Sequence, residues 1–193
     1  MTNTNFAKSF LEESKNILEK LDIKKINDFT EFLIELKYNY GRLFVIGVGG
    51  SAANASHVVS VFRKQLDIES YTPTDNIAEL TARTNDDGWN SVFSGWLYNS
   101  KINEKDAVLI FSVGGGNIEN NTSLNLIEAI DFAKKRGTKI LSVVGKDDGY
   151  AAKQSDLCIV VPVVDNISAH VLYMQLLITN LLSSNPKLKA KQK

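Results

Sequence analysis

The chain has 193 residues, enough for one domain that buries its own core without a covalent staple. Hydrophobic residues make up 44% and charged residues 23%, which is globular usage and excludes a disordered chain. Lys plus Arg and Asp plus Glu both number 22, a balance that removes any bulk attraction to nucleic acid or to an anionic membrane. The single cysteine, Cys158, lies in an apolar run and has no partner for an intramolecular disulfide, so a buried thiol is expected. No apolar run approaches the roughly 18 residues of a membrane span. The polar start Met1-Thr-Asn-Thr-Asn5 lacks a signal-peptide core, so a reducing cytoplasmic compartment is the expectation.

Residues 5–39 predict helix. Phe6, Phe10, Leu11, Ile17, Leu18 and Leu21 recur at helical spacing, a break is expected over residues 22–27, and Phe29, Phe32, Leu33, Leu36 and Tyr40 resume the pattern. Gly41 stops it. Leu43–Gly47 is a continuous apolar run bounded by glycine, which suits a strand buried on both faces of a parallel sheet. The Gly-rich turn Gly47-Val-Gly-Gly-Ser51 and a helix over 52–62 follow. Residues 69–100 predict helices at 78–83 and near 90–98. The strand–turn–helix unit then recurs: a strand at 107–111, the turn Ser112-Val-Gly-Gly-Gly-Asn117, and a helix at 124–136 closed by Gly137. A third strand at 139–144, a loop at 145–149, a short helix at 150–154 and a fourth strand at 157–163 complete the alternation. An apolar helix at 169–183 and a solvated basic tail at 187–193 end the chain. Strands alternating with helices predict an α/β fold with a mainly parallel sheet and right-handed crossovers.

In such a sheet ligands bind beyond the carboxyl ends of the strands, where the loops 47–51, 112–123 and 145–149 should converge. Glycines let backbone N–H groups approach an anion, and a helix N-terminus adds partial positive charge. Ser51, Ser112, Thr122 and Ser123 supply hydroxyls. Two serial loops of this kind point to a phosphate more than to tight turning alone. No Gly-Lys-Ser/Thr follows the glycines, and Ala52 interrupts a dinucleotide fingerprint, so a nucleotide is disfavoured.

Phe44-Val-Ile-Gly-Val-Gly-Gly-Ser-Ala-Ala-Asn-Ala-Ser-His57 resembles the first loop and helix of the sugar isomerase (SIS) domain, and within it the phosphoheptose isomerases. Their pattern is Gly-Asn-Gly-Gly-Ser with a histidine six residues after the serine. Leu80-Thr-Ala-Arg-Thr-Asn-Asp-Asp-Gly88 is similar to the family's Asn-Asp-x-Gly segment. Gly145-Lys-Asp-Asp-Gly149 is similar to its Gly-x-Asp-Gly-Gly turn, and Val160-Val-Pro162 to its last strand. The resemblance spans nearly the whole chain in order. It implies a three-layer α/β/α sandwich with a five-stranded parallel sheet, flavodoxin-like, in a single domain over 1–193. Helices over 1–40 would pack between the subunits of a homotetramer, ahead of a core over 41–186. It also implies interconversion of sedoheptulose 7-phosphate and its aldose isomer through an enediol. Gly49, Gly50, Ser51, Ser112, Gly114, Gly115, Gly116, Asn117, Thr122 and Ser123 would hold the phosphorylated sugar. Asn85 and Asp86 would hold its hydroxyls.

The chain also departs from the family. Its second Gly-rich loop is about half a dozen residues longer than the family's Ser-Thr-Ser-Gly-Asn-Ser, and Val48 replaces the asparagine of the first. The family's glutamate, four residues after the histidine, is Val61 here, and the glutamine and second histidine of its last helix align with Ser168 and Leu176. Some members bind zinc through these positions. With only His57 matched, no metal or other cofactor is assigned. Three readings stay open. His170 takes over as base, assisted by Asp86, Asp87 or Glu79, and shares the proton transfer with His57; or Glu119 supplies a carboxylate; or the chain binds a sugar phosphate, or a protein partner, without turnover. Trp89 and Trp96 are expected in the core or an interface.

Overall fold

The computed structural model describes residues 3–189. Helices α1 (Asn3–Lys20) and α2 (Ile23–Tyr38) are parted only at Leu21 and Asp22, a shorter break than the one read over 22–27. Asp22 accounts for it: its carboxylate accepts the Lys25 N–H at 3.0 Å and caps α2, so the helix restarts at once.

Five strands, β1 (Leu43–Gly47), β2 (Ser70–Tyr71), β3 (Ala107–Ser112), β4 (Lys139–Val144) and β5 (Leu157–Val160), form one parallel sheet in the order β2-β1-β3-β4-β5. The residues of β2 were not read as a strand, because two residues, Ser70 and Tyr71 beside Leu43 and Phe44, leave no apolar run to see. The intervening helices are α3 (Gly50–Val61), α4 (Ile77–Asp86), α5 (Val92–Asn99), α6 (Leu124–Lys135) and α7 (Tyr150–Gln154). They are followed by α8 (Ile167–Ser184) and α9 (Pro186–Lys189). One turn of π-helix, Phe62–Leu66, extends α3.

The strand residues alternate between two cores. Leu43, Val45, Leu109, Phe111, Leu141 and Val143 face a layer of α2, α3 and α8, and Ile17 of α1 joins them. Phe44, Ile46, Val108, Ile110 and Ile140 face α5 and α6. A sheet covered on both faces needs apolar residues at every position, which is why its strands read as unbroken runs. Trp96 joins the second core, while Trp89 is exposed beside Phe93. Cys158 is half-buried, and burial pushes its thiol up despite a bond to Ser142.

The tail differs from expectation where it is described. Leu188 is 1% exposed, Lys187 pairs with Glu31 at 2.6 Å, and Lys37 donates to the Leu188 carbonyl. Residues 186–189 therefore dock on α2; residues 190–193 lie outside the described residues.

At the amino end of the sheet, buried Asp106 accepts from the Arg42 backbone N–H, from Arg42 Nε and Nη2, and from Asn103. The carboxylate beside it raises the Arg42 guanidinium further above its ordinary value. Asp106→Ala would leave this cation and two backbone donors without their acceptor. It should destabilise the fold by about 3 kcal/mol, read as a lowered urea midpoint at unchanged slope.

Candidate functional site

β1 and β3 are neighbours, yet the chain leaves them toward opposite faces. α3 packs in the layer with α2 and α8, and α6 packs with α5. This is the switch point of a 2-1-3-4-5 sheet, where a crevice opens beyond the strand ends. The N-termini of α3 and α6 both start from the loops that border it, and each carries the positive end of a helix dipole.

On the β1 side, Ser51 is nearly buried and its hydroxyl lies 3.2–3.3 Å from the Gln175 amide. Gln175 Oε1 also accepts from Asn54 Nδ2 at 2.9 Å, and the same Asn54 group donates to the Leu172 carbonyl at 2.8 Å. Ser51 thus helps join α3 to α8, a duty that phosphate binding would have to share. Sequence reasoning passed over Asn54 and Gln175. A glutamine among Val171, Met174, Ile178 and Leu182 on an apolar helix was the available sign.

On the β3 side, Ser112 Oγ accepts the Gly115 N–H at 2.9 Å, and the chain turns through Gly115 and Gly116 at φ 76 and 85. The carbonyls of Gly115 and Gly116 accept the N–H groups of Ala151 and Tyr150 at 2.8 and 2.9 Å, and that of Val113 accepts Gly145 N–H at 2.9 Å. Loops 112–116 and 145–151 are therefore zipped backbone to backbone, so close that a Cβ on Gly149 would overlap the Gly114 carbonyl.

The extra residues do not enlarge the cradle. Asn117 and Thr122 exchange two backbone bonds of 2.9 Å, and residues 118–121 project as an exposed tip carrying Ile118 and Glu119. The Gly115 and Asn117 N–H groups are consequently used internally. Those of Gly114, Gly116, Leu124 and Asn125 and the Ser123 hydroxyl have no partner among the described residues, while Leu126 and Ile127 donate to the Ser123 carbonyl. Asn125, in that first turn, is fully buried. Its Oδ1 accepts the Leu126 N–H, while its Nδ2 has no partner. An asparagine on the apolar face of α6 was a second sign that the sequence reading passed over.

The other expected residues fall elsewhere. Asn85 and Asp86 form the exposed last turn of α4, bonded to each other at 2.7 Å, and do not cap the start of a helix. Nearer to α3, a cleft of about 570 Å³ is lined by Ser56, Ser60, Arg63, Asp75, Glu79 and Trp96, with Ser56 donating to Asp75. His57, next to Ser56, is exposed and makes no hydrogen bond among the described residues.

His170 is enclosed by α1 and its own helix. Its side chain is fully buried, Nε2 lies 2.7 Å from Glu13 Oε2, Nδ1 lies 3.1 Å from the Tyr173 hydroxyl, and Phe10 stacks on the ring at 4.2 Å. A buried imidazole with both nitrogens engaged has no face for a substrate proton. Val61 is 7% exposed and packed in the first core, Ser168 is exposed, and Leu176 is half-buried. The four positions that the resemblance links to zinc thus offer one imidazole and one hydroxyl, which do not fit that ion. Among the described residues no three His, Cys, Asp or Glu side chains gather as a metal site, and no helix is long and apolar enough to cross a membrane.

No protein-family model matches the chain. A phosphoheptose isomerase from Helicobacter pylori strain P12 is 31% identical over 156 residues, 78% of this chain and 77% of that enzyme. One from Sulfurimonas denitrificans is 32% identical over 160 residues, 80% of this chain and 76% of that enzyme. Among solved structures, the phosphoheptose isomerase of Neisseria gonorrhoeae superposes with a TM-score of 0.82 at 24% identity, covering 95% of this chain and 98% of that one.

Two measurements check this geometry. Gly149→Ala should force the zipped loops apart and weaken phosphate binding in a titration, with the sheet intact by circular dichroism. Tyr150, at the start of α7, donates to Asp131; this bond, reinforced by burial, pushes its phenol up to about 12. Between pH 10 and 12 the unfolded chain releases this proton first, so stability should fall with rising pH across that window. Tyr150→Phe should flatten that part of the alkaline unfolding curve.

Proposed function

The chain belongs to the phosphoheptose isomerase family of SIS-fold proteins, and from that premise we propose that it interconverts the ketose and aldose forms of a phosphorylated heptose through an enediol. The observation that carries this reading is identity of 31–32% to phosphoheptose isomerases over about four-fifths of the chain. The site is compatible with it. The unpaired N–H groups of Gly114 and Gly116, the Ser123 hydroxyl and the start of α6 form a donor set for a phosphate, with Gly49 and Gly50 across the crevice.

Isomerisation removes a proton from the carbon beside the carbonyl and returns one to its neighbour. His57 is the group we assign to this transfer, because it is the histidine left exposed and matches the family's position. Asp75 and Glu79, which line the adjoining cleft, are the groups we assign to the sugar hydroxyls in place of Asn85 and Asp86. A cytoplasmic homotetramer with sites shared between subunits is part of the same proposal. It is supported by Phe6, Leu11 and Leu18 of α1, which are 52%, 67% and 45% exposed. A second reading, binding without turnover, is favoured by one observation: Val61 fills the core where the family has its glutamate.

The test is incubation with sedoheptulose 7-phosphate in heavy water, followed by NMR. Deuterium at the carbon beside the carbonyl, with aldose formed, is the expected result. His57→Gln should lower kcat by about 100-fold or more. Ligand broadening without exchange would establish the second reading instead.

A further inference from the structure

Glu13 reaches from α1 to the start of α8. Its Oε1 accepts the Asp165 N–H at 2.8 Å, its Oε2 meets His170 Nε2 at 2.7 Å, and it also bonds the Asn166 side chain. Asn166, the residue before α8, has φ 45 and makes no capping bond of its own. The turn that leads into α8 is therefore held from another helix, by a carboxylate near the positive end of the α8 dipole. Burial raises the Glu13 carboxyl, but the bonds from the Asp165 N–H and His170 outweigh it and hold the group below its ordinary value.

The first turns of α8, which Glu13 meets at His170 and at Asp165 just ahead of them, form the rear wall of the crevice. A Cβ on Gly145 would press on Val171 and Ile167, and one on Gly50 would press on Leu172. The Leu172 carbonyl and the Gln175 side chain hold Asn54 and Ser51. The start of α8 is thus gripped by α1 on one side and touches two crevice loops on the other.

We propose that Glu13, with His170, is a positioning residue: it fixes the first two turns of α8 and through them the loops 47–51 and 145–149. On this assignment His170 serves the site from behind, and docking of α1 becomes a condition for an ordered crevice. The consequence for turnover rests on the isomerase reading above; the consequence for loop order does not.

The experiment compares the full-length wild type with Glu13→Ala, Glu13→Asp and Glu13→Gln by hydrogen-exchange mass spectrometry and by kinetics on sedoheptulose 7-phosphate. Glu13→Ala should speed exchange in residues 164–173 and 47–52 while β3 and β4 stay protected. It should also lower kcat/KM by about tenfold or more. Glu13→Asp keeps the charge but is one methylene short, and should show the same change in smaller degree. It serves as the test if the alanine variant does not fold. Glu13→Gln keeps an acceptor for the Asp165 N–H and a polar group toward His170, and should restore most of both readouts. Unchanged exchange in residues 164–173 and 47–52, or a change confined to α1, would overturn the proposal. An inactive wild type would overturn the isomerase reading, and the exchange data would still decide the role of Glu13.

Discussion

The divergence of the chain after β1 and β3 is the constraint from which the site follows. Neighbouring parallel strands whose following helices go to opposite faces leave a gap at their carboxyl ends that no side chain from the sheet can fill. Both helices begin at the rim of that gap, so their unpaired N–H groups and dipoles face the same space. The arrangement holds only if the sheet is covered on both sides. Alternation of Phe44 and Ile46 with Leu43 and Val45 between two cores is the packing side of the same requirement.

Backbone contact shapes the crevice more than side chains do. Loops 112–116 and 145–151 are joined by three backbone bonds, and glycine at 149 is what permits their approach. The elongated loop extends away from this joint as a paired tip, so added length alters the rim and leaves the donor set small. Behind the loops, Ser51, Asn54 and Gln175 form a buried and mutually satisfied network. A network of that kind fixes one geometry, since breaking any member strands the others in low dielectric.

The departures from the family pattern acquire different meanings in three dimensions. Val61 is a packing residue in the first core, which makes the loss of a carboxylate there a coherent change in the helix. His170 is tied to α1, so the N-terminal helices take part in holding the site as well as offering an apolar outer face. His57 alone keeps both the family position and an open imidazole.

Much of the fold was legible because its determinants are local. Apolar runs bounded by glycine marked β1, β3 and β4, and α7 matched its reading residue for residue, since an extended strand buried on both faces and a short helix each leave a contiguous trace. The Gly-rich loops and their hydroxyls were visible for the same reason. The two-residue β2 was not, because a strand that short is defined by its neighbour Phe44 and not by its own composition. The cradle's unpaired donors were equally hidden, since which N–H groups remain free depends on the Ser112 hydroxyl taking that of Gly115 and on the pairing of Asn117 with Thr122. The sequence by itself therefore determined four of the five strands and the Gly-rich loops at their carboxyl ends. Only the tertiary structure decided that Ser51 answers to Gln175 and that His170 answers to Glu13, 157 positions away in the chain, because a side chain's partners are set by which helices pack together and no local pattern records that.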